Sequence, residues 1–293
     1  MKCTVCPRNC MADRAGGKGF CGVGEGFRVA RAAPHFWEEP CISGVNGSGT
    51  VFFSGCNLGC VFCQNYEVSH SAFGRELTDS ELMKVFDSLI ESGVHNLNLV
   101  TPTHYAPRLA KVLKEYNSPV PVVWNSSGYE KAETVKMLEG LVDIYLPDIK
   151  YFESAPALKY SGAADYFDRA SEAVREMFRQ VGLLETDENG IAKKGIIIRH
   201  MVLPGNISQA VKVFSWVREN FPPEISISVM RQYTPYGKAL DMPPIDRRLS
   251  AREYLIVKEK ILALGFENCY FQGKDSAKEN FIPDFNLEGL DLS

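Results

Sequence analysis

The stretch SGCNLGCVFCQN (54–65) decides the reading of this chain. It continues an apolar, strand-like run, TVFFSG (50–55), and spaces three cysteines as C-x3-C-x2-C at Cys56, Cys60 and Cys63. Gly55 and Gly59 favour a loop, because glycine turns the chain where other residues resist it. Thiolates suit iron in iron–sulfur clusters, and a four-iron cluster ordinarily takes four of them. Three on one tight loop leave one iron open to an exogenous ligand. The plain alternatives are buried free cysteines on a helix face, since i, i+4 and i+7 also line a helix, or a zinc site. Two glycines and Asn57 inside the motif argue against the helix.

Outward from this loop the chain alternates. Strand-like runs recur at NLNLVTP (96–102), PVVWNSS (121–127), DIYLPDIK (143–150), GIIIRHMVLPG (195–205) and EISISVMRQY (224–233). Helix-like stretches separate them at 78–93, 104–116, 131–140, 170–182, 208–220 and 250–265. The first opens with Thr78 and Glu81 in capping-box spacing and stops at Gly93. Six strands alternating with helices predict an α/β fold with a parallel sheet. The span of about 215 residues is short of the roughly 250 that eight units need, so the expectation is a partial (β/α)6 TIM-type barrel. Its chemistry belongs at the C-terminal ends of the strands.

The expected organisation is a Cys/Gly-rich segment at 1–48, a barrel at 49–266 and a tail at 267–293 packed on it. Nine cysteines in 293 residues are many, and all but Cys269 lie between residues 3 and 63. No apolar run is long enough for a membrane span, and the N-terminus carries no targeting pattern. The expectation is a soluble cytoplasmic protein. In the reducing cytosol clustered cysteines point to metal or redox chemistry rather than disulfides. The net charge of -4, without a basic stripe, argues against nucleic-acid binding.

GCNLGCVFC directly after a first strand resembles the signature of the radical S-adenosylmethionine (SAM) superfamily. The resemblance covers about residues 49–266. It implies a [4Fe–4S] cluster on Cys56, Cys60 and Cys63, with SAM chelating the open iron. It also implies reductive cleavage of SAM to a 5′-deoxyadenosyl radical that abstracts hydrogen from a substrate. Phe62 matches an aromatic that packs near adenine. Within the superfamily the chain is most similar to pyruvate formate-lyase activating enzymes. PDIK (147–150) places Lys150 at the SAM carboxylate and Asp148 beside a monovalent cation. NSSGY (125–129) resembles an Asp-Thr-Asn-Gly turn, with Asn125 and Ser126 departing from it. RHMVLPG (199–205) makes Arg199 a SAM contact, and QYTPYGK (232–238) carries Thr234 where a histidine is usual. The Gly-Gly-Glu-Pro that binds the SAM amino group is replaced by VTPTHY (100–105), whose Thr101, Thr103 and His104 offer substitutes. The implied partners are SAM, an electron donor such as flavodoxin or ferredoxin, and a glycyl-radical enzyme. The competing expectations are a small-molecule or peptide substrate, or a non-enzymatic metal module.

Cys3, Cys6, Cys10 and Cys21 form a separate C-x2-C-x3-C-x10-C set. Four thiolates at this spacing suit zinc or a second iron–sulfur cluster, and spacing alone does not separate the two. A segment this poor in core needs such a staple, reduced and unliganded cysteines being the plain alternative.

Overall fold

The computed structural model describes residues 2–273 and 283–291. Among these, ten strands form one sheet: β1 (Phe27–His35), β2 (Ser48–Phe53), β3 (Arg75–Leu77), β4 (Leu97–Val100), β5 (Val122–Ser126), β6 (Ile144–Pro147), β7 (Glu185–Thr186), β8 (Ala192–Met201), β9 (Ser226–Met230) and β10 (Asn268–Phe271). Their order is β10-β9-β8-β6-β5-β4-β2-β1-β3, with β7 pairing β8 alone. From β2 to β10 every pairing along this order is parallel. β1 and β3 run antiparallel beside β2. The sheet has two ends and stays open, an α/β partial barrel whose mostly parallel strands are those the alternation predicts.

Helices Asp79–Glu91 and Ala251–Leu262 both open with complete capping boxes, at Thr78 with Glu81 and at Ser250 with Glu253. Each satisfies two backbone donors that the helix itself leaves free. Among the described residues no helix is long and apolar enough to cross a membrane.

Two features differ from the sequence expectation. The expected boundary at residue 48 separates β1 from β2, which pair across six residues of β1. β1 therefore belongs to the sheet, and the segment outside it ends near residue 26. The tail expected from residue 267 supplies β10, which adds a parallel strand on β9. Further along, Glu288 O accepts from Ala32 N–H and Leu287 N–H donates to Ala30 O, so residues 287 and 288 lie along β1.

Side chains alternate across a strand, so Arg199 and His200 on β8 face opposite ways. On the helix side a large apolar cluster holds Phe53, Leu99, Trp124, Tyr145, Ile198 and Val229. A second cluster shares the inner face with Asn125, Asp148 and Arg199: Val123, Ile144, Leu146 and Ile197, closed by Cys41 and Ile42. Cys41 and Ile42 come from the short helix Pro40–Ser43, which plugs the bottom of the barrel. Above this floor the inner face turns polar.

His200 faces the helix Ile207–Asn220, its ring against Phe214 and its Nδ1 2.6 Å from Ile149 O. Burial lowers its pKa from 6.5 to about 4. The unfolded chain therefore binds a proton below pH 6.5 that the folded chain refuses, and stability falls as pH drops toward 4. Relative to His200→Gln, the wild type should lose about 1.4 kcal/mol per pH unit across that window. Denaturant unfolding at pH 7, 6 and 5 checks this, and parallel stabilities of the two proteins would refute it.

Candidate functional site

The loop after β2 is fixed before its cysteines bind anything. Gly55 has φ +82, and a Cβ there would stand 2.4 Å from Cys21 O. The Cys56 N–H donates to that same carbonyl at 3.2 Å. Leu58 N–H donates to Cys56 Sγ at 3.3 Å, and Ser161 Oγ–H donates to Cys60 Sγ at 3.1 Å. Asn57 anchors the turn through Nδ2–H to Tyr129 O at 2.6 Å. Burial raises the Cys60 and Cys63 thiols, the latter to about 12, while the Lys150 ammonium opposes the rise. Such thiols stay protonated until a metal displaces the proton.

Among the described residues no three His, Cys, Asp or Glu side chains are gathered as ligands of one ion. That spacing does not disfavour a cluster, whose corner thiolates bind different irons and stand farther apart. The three cysteines line a cavity of about 570 Å3, together with Phe62, Thr101, Asn125, Ser126, Asp148, Lys150 and Arg199. Two buried polar atoms on its lining, Glu39 Oε2 and Ser127 Oγ, have no hydrogen-bond partner. A sulfur-only donor set on one loop and a roomy, polar cavity fit a cluster with a polar molecule beside it.

The polar layer centres on Arg199. Its Nε donates to Asp148 Oδ1 at 2.9 Å, Nη1 to Glu38 Oε2 at 3.0 Å and Nη2 to Asn125 Oδ1 at 2.6 Å. Lys150 Nζ donates to the other Asp148 oxygen at 2.5 Å. Asn125 Nδ2 returns a bond to Glu38 Oε1 at 2.9 Å, and Asn98 Nδ2 adds one at 3.3 Å. Burial pushes the Asp148 carboxyl up, but Lys150 and Arg199 outweigh it and hold the group below its ordinary range. Burial likewise works against the Lys150 ammonium, and the Asp148 carboxylate outweighs it. Both stay charged at neutral pH.

The remaining sequence-selected residues divide by place. Phe62 is buried edge-on against Tyr151, Tyr160 and Tyr233. Thr101 sits at φ 59, unusual for a β-branched residue, with its N–H on Asn125 O at 2.8 Å. Ser126 Oγ–H donates to the buried Glu130, which also accepts from Thr103 and Trp124. That carboxylate ties the strand end together. His104 faces away from this cavity: its Nε2 lies 2.9 Å from Ser54 O, and its carbonyl accepts from Arg14. Burial lowers its pKa to about 3, so the ring is neutral. Cys41 Sγ lies in the floor and accepts from Tyr270 OH at 3.3 Å.

Sequence reasoning missed Glu38 and Glu39. They precede the short helix Pro40–Ser43 and reach the site only because β1 runs beside β2. Glu39 is held near Arg199 at 4.0 Å. Burial raises its pKa, Arg199 opposes, Glu38 adds to the rise and a hydrogen bond with the Ser228 side chain opposes it.

A family model described as the radical SAM superfamily matches residues 50–205. An uncharacterized protein of Methanocaldococcus jannaschii is 31% identical over 261 residues, covering 86% of this chain and 71% of its own length. The crystal structure of methylornithine synthase superposes with a TM-score of 0.51 at 16% identity, over 80% of this chain and 68% of that one, a likeness of fold.

Removing Arg199 leaves two largely buried carboxylates short of their charge partner: Asp148 keeps Lys150, and Glu38 keeps only the amides of Asn125 and Asn98. Arg199→Met should cost about 3–5 kcal/mol in denaturant unfolding. A loss under about 1 kcal/mol would mean the layer does not depend on this cation.

Proposed function

The chain belongs to the radical SAM superfamily, and from that premise we propose that it removes a hydrogen atom from a small polar substrate held over Glu39 and Arg199. When bound, the [4Fe–4S] cluster supplies the electron that splits SAM into methionine and the 5′-deoxyadenosyl radical. Cys56, Cys60 and Cys63 are the residues that hold the cluster. Lys150 sits at a strand end, within electrostatic reach of Cys60 and Cys63, and suits the carboxylate of SAM. Phe62 offers an apolar ring for adenine, and the Thr101 hydroxyl lies on the same cavity. The cavity floor is buried and therefore keeps bulk water from a radical centre. An external one-electron donor of the flavodoxin or ferredoxin class is the implied reductant.

The observation that carries the substrate class is the unpartnered Glu39 Oε2, buried at the cavity lining 4.0 Å from the Arg199 guanidinium. Unmet Glu39 Oε2 and Ser127 Oγ on this cavity suit a polar molecule, because an unmet buried group costs about 1–3 kcal/mol. A second reading, activation of a glycyl-radical enzyme, is supported by the resemblance of PDIK, NSSGY, RHMVLPG and QYTPYGK to activase strand ends. Cys3, Cys6, Cys10 and Cys21 hold zinc or a second cluster in either reading.

Anaerobically reconstituted protein with SAM and a strong reductant should form 5′-deoxyadenosine. Cys56→Ser, Cys60→Ser and Cys63→Ser should each form none. With an ultrafiltered, deuterated metabolite extract, the 5′-deoxyadenosine should gain deuterium, and Glu39→Gln should abolish that gain while keeping SAM cleavage. No product from protein with an intact cluster would overturn the enzymatic reading. A glycyl-radical EPR doublet on a co-incubated glycyl-radical enzyme, with no deuterium transfer, would replace the small-molecule reading with the activase one.

A further inference from the structure

The N-terminal cysteine segment is built as a metal site and is bolted to the cluster loop. Its chain doubles back: Cys3 N–H donates to Ala12 O at 2.9 Å and Met11 N–H returns to Cys3 O at 3.0 Å. Asn9 and Met11 both take positive φ to make this turn. The reversal brings the four sulfurs toward one another. Cys6 lies within electrostatic reach of Cys3, Cys10 and Cys21, and Cys3 meets Cys10 side chain to side chain. A Cβ on Gly19 would stand 3.3 Å from Cys21 Sγ and 3.5 Å from Cys10 Sγ, so the glycine leaves room for both sulfurs. Backbone N–H groups of Phe20 and Ala12 point at the Cys10 sulfur, and that of Arg8 at the Cys6 sulfur. Burial nonetheless leaves the Cys6 thiol raised to about 11 and the Cys21 thiol raised, and such donors offset only part of it. Four thiolates suit zinc and an iron–sulfur cluster alike, and metal content decides between them.

Arg8, inside this cysteine set, joins it to the cluster loop. Its Nε donates to Asn57 O at 2.8 Å and its Nη2 to Leu58 O at 2.9 Å, both in the Cys56–Cys60 turn. Nη1 reaches Gly162 O at 2.5 Å and Nη2 reaches Ser161 O at 2.7 Å. Ser161 is the residue whose hydroxyl donates to Cys60 Sγ. The guanidinium lies over Phe20 at 4.1 Å and Tyr129 at 5.2 Å. Cys21 adds the carbonyl that accepts from Cys56 N–H. One planar cation thus satisfies carbonyls on both sides of the Cys60 sulfur.

We propose that Cys3, Cys6, Cys10 and Cys21 bind a second iron–sulfur cluster, and that this cluster holds the SAM-binding loop in place through Arg8 and the Cys21 carbonyl. The site itself stands apart from the radical SAM reading, while the role of Arg8 rests on it. Arg8 is a positioning residue, and lysine cannot replace its forked donors.

The test uses the full chain, reconstituted anaerobically with iron and sulfide. Wild type should hold about eight irons per chain and the Cys56→Ala, Cys60→Ala, Cys63→Ala triple variant about four. Arg8→Gln and Arg8→Lys should keep about eight irons yet bind SAM at least about tenfold more weakly by equilibrium titration. One zinc per chain in wild type, or a triple variant free of iron, would overturn the second cluster. Unchanged SAM affinity in both Arg8 variants would overturn the coupling. Should wild type bind no SAM while the triple variant keeps its iron, the radical SAM reading fails and the N-terminal cluster stands.

Discussion

A guanidinium buried inside an open sheet organises this molecule. Arg199 is 7% exposed and lies among groups from separate parts of the chain: Asp148 after β6, Asn125 on β5 and Glu38 after β1. Burying such a charge costs several kcal/mol unless each donor finds a partner. The pairings offset that cost and also set geometry. Asp148, held by Arg199, in turn holds Lys150 under the cysteine loop. Glu38, held by the same cation, pulls the chain after β1 into the barrel, so that the helix Pro40–Ser43 closes the floor. The height of the polar layer above that floor follows from this one residue.

The cysteine loop is set from the other side. Gly55 lies against Cys21 O, and Cys56 N–H is spent on that carbonyl. Arg8 fills the carbonyls around Leu58 and Ser161. The ligand loop of the superfamily's cluster therefore has two supports of different kinds: a buried charge layer beneath it and a cysteine segment over it. Both act through backbone geometry, which fixes the loop even though burial raises the Cys60 and Cys63 thiols.

Much of this was legible in the sequence because its causes are local. C-x3-C-x2-C after TVFFSG, the capping boxes at Thr78 and Ser250, and the apolar runs of the six parallel strands all rest on nearby residues. The strand-end rule likewise pointed to Asn125, Asp148, Lys150 and Arg199, which the fold brings to one cavity. What was not legible depends on distant pairing. β1 follows a Gly-rich stretch and becomes a strand only beside β2 and β3. Glu38 meets Arg199 across 161 positions, which no local pattern encodes. β10 lies in a polar tail and needs the edge of β9. His104 stands at a strand end, yet the turn of Thr103–Tyr105 aims its ring at Ser54 O instead of the cavity. Strand-end position narrows the candidates, and side-chain direction decides among them.

The central claim is that Cys56, Cys60 and Cys63 hold a cluster with one iron open to SAM, in a pocket lined by Lys150 and Arg199. The most direct measurement is the EPR spectrum of the reduced, reconstituted wild type with and without SAM, read beside the Cys56→Ala, Cys60→Ala, Cys63→Ala variant, which isolates any signal from elsewhere. The account predicts a changed g-tensor on adding SAM, lost again when Lys150 is replaced by methionine. A spectrum from an intact cluster that SAM leaves untouched would contradict it.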